Sequence, residues 1–337
     1  MSKRVLDIIG ENFNTTRRLK INGPRIIHEG GKVGVAYAGP DGGGRLFDVT
    51  DIYPTDPAKL RVFQIPHVAH AVRRKDLDYI AWLVNSQTAA GANIVDLCVD
   101  EIAVDPEVRH RTMAWLVPVV QKMTDAVIAI DSSDPETIMT GLRAHDGARS
   151  RPAINSVNLE EGRQDLIKEA RARNALLFAN ASGRDGMPRD EHERVANLEE
   201  LMQLMDQAGI PIQDRYLDPL AFPVSTGSAF GSHYLEAVRE IRKRHPQVHI
   251  FGGHSNASFG LPQRKVANNA FIIMSILAGC DTLMIDPVQN PPKDFADFKL
   301  ASDLVLGIDE NAINYMSAFR APTVPGSARR PPPAGQR

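Results

Sequence analysis

Short apolar runs alternate with longer amphipathic segments along most of this 337-residue chain, and this alternation limits the possible folds more than any other feature. The apolar runs predict strands at 4–9, 93–99, 126–130, 152–155, 174–179, 214–218, 248–251 and 281–285. The amphipathic segments predict helices near 76–90, 106–123, 134–145, 162–172, 190–208, 229–244, 263–279 and 295–306. Alternating strands and helices form parallel sheets with right-handed crossovers, and eight repeats favour a closed (β/α)8 TIM barrel of the α/β class. An open doubly wound sheet has the same alternation and stays the alternative.

Several predicted helices have clear boundaries in the sequence. Asp134 precedes Pro135 and Asp105 precedes Pro106, which places an acidic N-cap before a proline at the first helical position. Glycine ends other periodic segments, as at Gly209. These boundaries indicate separate helices within one repeated unit.

Residues 15–75 interrupt the repeat, because they separate the first predicted strand from the first helix by far more than a usual loop. Within them, KVGVAYAGPDGGGRLFDVTDIY alternates and turns at DGGG, which predicts a β-hairpin. An insertion after a barrel strand emerges at the C-terminal face, where barrel enzymes hold their sites. We therefore expect one barrel domain over 1–320 with a lid or partner-docking insertion, and a disordered Pro/Gly/Arg-rich tail over 321–337.

The bulk composition, with 43% hydrophobic and 24% charged residues, is typical of a soluble enzyme. The net charge of −2 argues against a protein that wraps nucleic acid, and no apolar stretch approaches the ~20 residues that span a membrane. The N-terminus lacks the features of a signal peptide, so we expect a cytoplasmic protein. Cys98 and Cys280 have no paired spacing. His67, His70 and His110 have no metal-site spacing and are expected at the surface or at helix caps.

Polar residues follow the predicted strands at the end where a barrel enzyme holds its site. All eight strand ends carry a carboxylate or a carboxamide, from the set Glu11, Asn14, Asp96, Asp100, Asp131, Asn155, Asn158, Asn180, Asp218, Asn256 and Asp286. A single residue of this kind would usually be a helix cap. Capping alone explains eight of them poorly, because Ser, Thr and Gly also cap helices. The pattern therefore predicts a polar pocket.

The residue types of this rim limit what the pocket binds. Phosphates favour Lys, Arg or a glycine-rich helix start, and zinc favours clustered His or Cys. A hard cation could use Asp131 and Asp218, but Mg²⁺ sites usually also serve a phosphate. Carboxylates and amides instead suit a flat, neutral heterocycle with adjacent N–H and C=O groups, such as a pterin or a guanine. We predict a pocket for such a ring, with no bound metal.

Six stretches of the sequence carry a resemblance to a known family. In chain order they are IIGENFN (8–14), IVDLCVDE (94–101), AIDSSDPE (129–136), AINSVNLEEGR (153–163), YLDPLAFPVST (216–226) and GHSNASFGLPQR (253–264). On these stretches the chain resembles the pterin-binding, dihydropteroate-synthase-like methyltransferases that move a methyl group between tetrahydrofolate and a corrinoid. The folate module of cobalamin-dependent methionine synthase is one member. The gaps between the stretches also match, apart from the 15–75 insertion.

The resemblance implies roles for individual residues. Asp131, Asn155 and Asp218 would contact the pterin, and Asn256 would bond near the nitrogen that carries the methyl group. Asn256 and Asp131 would be the catalytic residues. The rim pattern and the resemblance together give a substrate-binding set of Asp131, Asn155, Asp218, Asn256, Asn158, Asp96, Glu11, Asn14, Ser258 and Asn180. Arg184 or Arg264 would meet the glutamate tail of the folate.

The resemblance also implies partners. Tetrahydrofolate or methyltetrahydrofolate would be the substrate, and the corrinoid would arrive on a separate protein, because the chain has no DxHxxG stretch of a cobalamin-binding module. A homodimer is expected, as in many family members. Two alternatives stay open: a non-catalytic folate-binding docking subunit for a corrinoid protein, and dihydropteroate synthase. The second usually has Lys and Ser-x-Arg groups at its late strands, which GGHSNASF and IDPVQNPP lack. Cys98 stands where the family usually has Asn.

Overall fold

The structure, a computed structural model, describes residues 4–320 and contains one eight-stranded parallel sheet. Its strands are β1 Asp7–Asn14, β2 Ile94–Cys98, β3 Val127–Asp131, β4 Ala153–Val157, β5 Leu176–Asn180, β6 Arg215–Asp218, β7 His249–Ile250 and β8 Thr282–Ile285. Their order in the sheet is β7-β6-β5-β4-β3-β2-β1-β8. The sheet curls into a barrel, which confirms the predicted α/β class and its (β/α)8 arrangement.

The barrel is closed between β7 and β8, where pairing is sparse. A single parallel bridge joins Gly253 to Met284. The Asp281 N–H also donates to the Ile250 carbonyl oxygen at 3.3 Å, and the Ile250 N–H donates to the Asp281 carboxylate at 2.9 Å. These contacts leave no wide gap at the seam, so the open doubly wound alternative is wrong.

Eight helices follow the strands in turn and cover the outside of the barrel. They are α1 Leu77–Ala89, α2 Pro106–Val120, α3 Pro135–Ala144, α4 Asp165–Arg173, α5 Glu191–Gln207, α6 Phe230–Arg244, α7 Arg264–Ala278 and α8 Pro292–Val305. The predicted caps are present: Asp134 accepts from the Glu136 and Thr137 N–H groups, and Asp105 accepts from the Glu107 N–H. A further short helix, Ile313–Phe319, follows α8. No helix within residues 4–320 is long and apolar enough to cross a membrane.

Two strands differ from the predicted limits. β1 runs over Asp7–Asn14 instead of 4–9, because its polar second half extends into the barrel mouth instead of leaving the sheet. β7 contains two residues instead of four. Directly after it, the Phe251 carbonyl oxygen accepts the Tyr234 hydroxyl at 3.0 Å. An added Cβ on Gly252 would lie 2.5 Å from the same hydroxyl oxygen, so helix α6 packs closely against this part of the chain.

Residues 15–75 form more than the predicted hairpin. Lys32–Ala38 and Gly44–Asp48 are antiparallel, with the turn at the predicted place, and Ile26–Glu29 adds a third strand. A second pairing joins Leu19–Lys20 to Gln64–Ile65 and closes the base of the insertion. Short helices at Pro57–Leu60 and His67–Arg74 complete it.

An aromatic cluster attaches the insertion to the start of helix α1. Phe47 stacks on Tyr79, with ring centroids 4.4 Å apart, and Tyr37 meets the same ring edge-on at 5.0 Å. The expected surface position of His67 and His70 is wrong, since both are buried under this small sheet. The His67 Nδ1 lies 2.9 Å from the Tyr79 hydroxyl oxygen. Burial lowers the pKa of His67 to about 3, so its imidazole is neutral.

Candidate active site

Inside the barrel, one layer of inward-facing side chains is apolar and the next layer toward the mouth is polar. Alternate residues of a strand face the same side, so the inward position above each floor residue lies two places further on. The floor is apolar and includes Ile9, Ile94, Ala129, Ala153, Phe178, Tyr216 and Phe251, with Met284 packed against it. Two places further on stand Glu11, Asp96, Asp131, Asn155, Asn180, Asp218, Gly253 and Asp286. Seven of the eight positions are therefore a carboxyl or an amide, and these seven predicted polar residues share one layer.

Asp96 and Asp131 form the centre of this layer. The Asn155 Nδ2 donates to Asp96 Oδ1 at 2.9 Å. Asp96 is fully buried, and burial with the nearby Asp131 charge raises its pKa well above the ordinary value. A protonated Asp96 can donate to Asp131 through Oδ2, which accepts no hydrogen bond within residues 4–320. The two carboxyls therefore titrate together, and a ligand can change which of them carries a proton.

Asp131 lies beside Cys98, because β2 and β3 pair these two residues directly. Burial raises the pKa of Asp131 to about 7, with the Cys98 thiol and Asp96 opposing that shift as hydrogen-bond donors. Burial also raises the pKa of the Cys98 thiol well above its usual range. The Cys98 thiol is consequently neutral beside Asp131, in the position where the resembled family usually has an amide.

Asp218 lies across the barrel from this pair. Its Oδ1 accepts the Leu220 N–H at 2.8 Å. Burial raises its pKa to about 7, against the lowering effects of that bond and of the buried Arg194 guanidinium. Near neutral pH, Asp218 and Asp131 are each partly protonated. Both can become full acceptors if a ligand brings N–H groups to them.

Glu11 and Asp286 are bridged on the β8–β1 side of the mouth. Arg17 donates to Glu11 Oε1 at 2.8 Å and to Asp286 Oδ2 at 3.3 Å. The Ser255 hydroxyl contacts both Glu11 carboxylate oxygens at 3.2 Å. Burial raises the pKa of Glu11 despite the opposing charge of Arg17. This bridge fixes the loop after β7 to the end of β1.

The glycine-rich loop after β7 turns through a single 3-10 turn over His254–Asn256. An added Cβ on Gly253 would lie 2.9 Å from the Asn256 Nδ2, so glycine lets the amide fold back over the loop. Asn256 is exposed and makes no side-chain hydrogen bond within the described part of the chain. Its amide is therefore available to a ligand above the polar layer. His254, beneath it, is buried with two unpartnered ring nitrogens among residues 4–320, and burial lowers its pKa to about 4.

Four other residues of the predicted set are held by local bonds. Asn158 Oδ1 accepts the Glu160 N–H, and Asn14 Oδ1 accepts the Thr16 N–H and hydroxyl. Asn180 bonds the Ser156 hydroxyl at 2.7 Å and the Ser182 N–H at 3.0 Å. Buried Ser258 accepts from Arg264 at 3.0 Å. These contacts organise the loops around the mouth. Of the four residues, only Asn180 lies in the inward layer.

The two arginines expected near a folate tail have different surroundings. Arg184 is exposed and forms a two-pronged ion pair with Glu200 of α5. Arg264 also donates to the Ser255 carbonyl oxygen at 2.8 Å, so it holds the loop that carries Asn256. Arg184, in the loop before α5, is thus neutralised by Glu200 of that helix, whereas Arg264 lies next to the candidate site.

Two further arginines support the site and were absent from the predicted set. Arg163 is buried and donates to the Ser156 carbonyl oxygen at 2.7 Å and to the Ser132 carbonyl oxygen at 3.1 Å. It therefore joins the loops that carry Asp131 and Asn155. Arg17 makes the bridge described above. Arg163 closes the NLEEGR stretch and Arg17 follows ENFNTT, so their places in the motifs were the only available indication.

Metal ligation has no obvious candidate here. Within residues 4–320, no group of three or more His, Cys, Asp and Glu side chains is arranged to hold a metal ion. The polar layer combines carboxyls with amides and a thiol, and its carboxyls are partly protonated. Such a set suits hydrogen bonding to a flat heterocycle better than coordination.

Comparisons with known proteins agree with this geometry. The family described as pterin binding enzyme matches residues 68–286. The chain is 28% identical over 260 residues to the methylcorrinoid:tetrahydrofolate methyltransferase of Eubacterium limosum, covering 76% of this chain and 92% of that protein. It is 30% identical over 241 residues to the methionine synthase of Mycobacterium tuberculosis, covering 66% of this chain but only 20% of that longer protein.

Solved structures show the same fold at lower identity. Dihydropteroate synthase of Yersinia pestis, solved with a pterine-sulfa conjugate, has a TM-score of 0.54 and 16% identity, covering 68% of this chain and 89% of that one. The Coxiella burnetii dihydropteroate synthase with pteroic acid has a TM-score of 0.52 and 13% identity, with 66% and 86% covered. The structural likeness establishes the barrel, and the family match covers most of it. This chain belongs to the pterin binding enzyme family.

Proposed function

We propose that this protein is a methyltransferase that moves a methyl group between tetrahydrofolate and a corrinoid carried by a partner protein. The observation that carries the proposal is the inward layer of carboxyl and amide groups at the barrel mouth, with Asp131 and Asp218 at a pKa of about 7. The similarity to a methylcorrinoid:tetrahydrofolate methyltransferase over 92% of that protein supports the reaction class.

The pterin ring would lie across the polar layer. Its amino-pyrimidinone edge presents adjacent N–H donors, which an ionised carboxylate can accept as two parallel bonds. Asp218, Asp131 and Asp96 offer such acceptors, and Asn155 supplies both donor and acceptor atoms. The apolar floor beneath them would contact the face of the ring. This arrangement fixes the ring by its edge and leaves the opposite side toward the loop of Asn256.

Asn256 is the residue best placed to act on the nitrogen that bears the methyl group. When the methyl leaves without its bonding electrons, the nitrogen retains the pair and becomes a better hydrogen-bond acceptor. An amide donor held nearby stabilises that change by electrostatic preorganisation. The same nitrogen must take up a proton as the methyl leaves, and Asp131, through water, would supply it. In reverse, the same contacts hold the free nitrogen in line for the incoming methyl group.

The corrinoid supplies the cobalt centre that gives or accepts the methyl group, and it requires access to the open barrel mouth. The seven polar residues of the inward layer come from the barrel itself. The 15–75 insertion follows β1 and would offer a surface for the corrinoid protein. The proposal includes a homodimer in the cytoplasm, with no nucleic acid or membrane partner. No resident metal is required of this chain.

An absorbance assay with purified protein tests the proposal. Methylcobalamin plus tetrahydrofolate is followed at the cobalamin bands, and then the reverse pair is measured. We expect turnover in at least one direction. Asn256→Ala should lower kcat about 100-fold while changing folate affinity about threefold or less, because the lost bond forms mainly in the transition state.

Two further measurements, of tetrahydrofolate binding and of pyrophosphate release, separate the two alternatives. Tight tetrahydrofolate binding without turnover, even with a corrinoid protein present, would favour a docking subunit. Release of pyrophosphate from a pterin pyrophosphate would favour dihydropteroate synthesis. The loop after β7 offers Ser255, Asn256 and Ser258 but neither the Lys nor the Ser-x-Arg groups of that reaction, so the methyltransferase is the favoured function.

A further inference from the structure

A cationic cavity lies beside the barrel mouth and is formed largely by the insertion. Its volume is about 440 Å³, within the range of small-molecule pockets. Arg17 and Asp286 line it and also belong to the Glu11 bridge at the rim, so one wall is shared with the mouth. A ligand bound across the mouth could therefore extend into the cavity over Arg17.

The charges that line this cavity do not balance. Arg17, Arg18, Lys20 and Arg25 face it, against the single carboxylate of Asp286. Arg17 is neutralised by the rim, and Arg18 lies 3.8 Å from Glu101. Lys20 has no side-chain hydrogen bond or ion pair within residues 4–320, and Arg25 bonds only neutral oxygens, those of Ala36 and Tyr79. The unbalanced cations favour an anionic ligand.

Apolar groups form much of the remaining wall, beside the polar side chains of Asn12, His67, Ser86 and Gln289. Trp82 of α1 lies under the Arg25 guanidinium, which is 4.4 Å from the ring centroid, and Leu83 and Ile26 flank it. An aromatic ring can pack against such a surface, while carboxylates reach the cations beside it. The cavity therefore fits a ligand that joins an aryl group to carboxylates.

We propose that this cavity binds the p-aminobenzoyl-glutamate tail of the folate. The inference rests on the proposed function, since that function places the pterin in the adjacent mouth. It locates the tail on the insertion side, at Lys20 and Arg25, instead of at Arg184, whose charge is already satisfied by Glu200. The insertion then selects complete folates over simple pterins, and a tail with more glutamates gains further attraction from these cations.

Calorimetric titration with two probes tests this assignment: tetrahydrofolate, and 6-methyltetrahydropterin, which has no tail. Wild-type protein should bind tetrahydrofolate at least about tenfold more tightly than the tail-less pterin. Lys20→Glu should weaken tetrahydrofolate binding about tenfold and leave the pterin within about twofold. Lys32→Glu makes the same charge change on the exposed sheet of the insertion, away from the cavity, and should alter neither.

A second measurement needs no variant. Raising the salt from low to high concentration should weaken tetrahydrofolate binding and leave pterin binding nearly constant, because salt screens the charges at the tail. Equal affinity for the two probes in wild-type protein, or an unchanged tetrahydrofolate affinity in Lys20→Glu, would overturn the tail site while the pterin site stands. Failure of both probes to bind would remove the proposed function together with this inference.

Discussion

Carboxylates with restricted solvent access lie at both ends of the barrel, but their pKa values shift in opposite directions. At the N-terminal end, Asp281 accepts from the Ile250 N–H at 2.9 Å, contacts the His249 Nδ1 at 3.1 Å and lies 3.4 Å from Arg242. Burial alone would raise the pKa of Asp281, but these partners lower it below its ordinary value. At the mouth, burial dominates and raises the pKa of Asp218 to about 7.

The difference separates structural from functional polar groups. The N-terminal network is complete: Tyr216 donates to Asp7 at 3.0 Å, and Asn93 occupies the other Asp7 oxygen at 3.0 Å. At the mouth, Asp96 Oδ2 accepts no hydrogen bond within the described residues, and the Asn256 side chain has no partner there. A complete network stabilises the fold, whereas an incomplete one costs stability until a ligand supplies the missing donors.

Breaking the N-terminal network should give the largest effect on stability. Asp281→Ala leaves His249 and Arg242 without their carboxylate at the β7–β8 seam, so the free energy of unfolding should fall by about 3 kcal/mol. Pterin affinity should change little. Denaturant unfolding measures the first quantity and calorimetry the second. Asp297→Ala, which removes an exposed ion pair with Lys293 on α8, is the control and should cost about 0.5 kcal/mol or less.

Replacing a carboxyl at the mouth should instead lower the affinity for the ligand. Asp218→Asn keeps the shape and the Leu220 contact but weakens the acceptor for the pterin N–H groups, so affinity should fall about 30-fold, equivalent to ~2 kcal/mol. Fluorescence or calorimetric titration measures the loss. Asp105→Asn removes the same charge from a helix cap outside the inward layer and should leave affinity unchanged. Equal losses in the two variants would make Asp218 a cap instead of a ligand contact.

The same variant should stabilise the unliganded protein. Because the pKa of Asp218 is raised to about 7, the folded state binds more protons than the unfolded state between about pH 4 and pH 7. Stability therefore falls as pH rises through this window. Asparagine does not ionise, so Asp218→Asn should gain up to about 4 kcal/mol at pH 8 and almost nothing at pH 4. Unfolding at both pH values checks the sign, and a loss at pH 8 would contradict it.

The sequence predicted the elements of the fold well, because local rules determine them. Acidic caps before Pro106 and Pro135 begin helices wherever they occur, and both helices start at those residues. The limits of β1 were wrong, since Glu11 and Asn12 look like loop residues although they lie in a polar barrel mouth. His67 was misplaced for a related reason, because a sheet folded from residues far along the chain covers it.

The candidate site was partly predictable for the same physical reason. Polar residues at the carboxyl ends of the strands could be assigned to one rim from the sequence, because these ends meet at one face of a parallel barrel. Arg163 could not be assigned, because the bonds that tie it to the β3 loop run to the Ser132 and Ser133 carbonyl oxygens, 31 and 30 residues away, and leave no local pattern. Nor did the sequence indicate which carboxyls would have raised pKa values, since burial depends on the whole barrel.

Proton release on binding tests the central claim most directly. The pKa values of Asp131 and Asp218 are both raised to about 7, and accepting pterin N–H groups should ionise the protonated fraction of each. Calorimetry in buffers of different ionisation enthalpy should detect about one proton released per tetrahydrofolate bound at pH 7, and almost none at pH 9. Asp218→Asn should halve the release at pH 7. Binding without proton release at pH 7, or the same release in wild type and Asp218→Asn, would contradict the account.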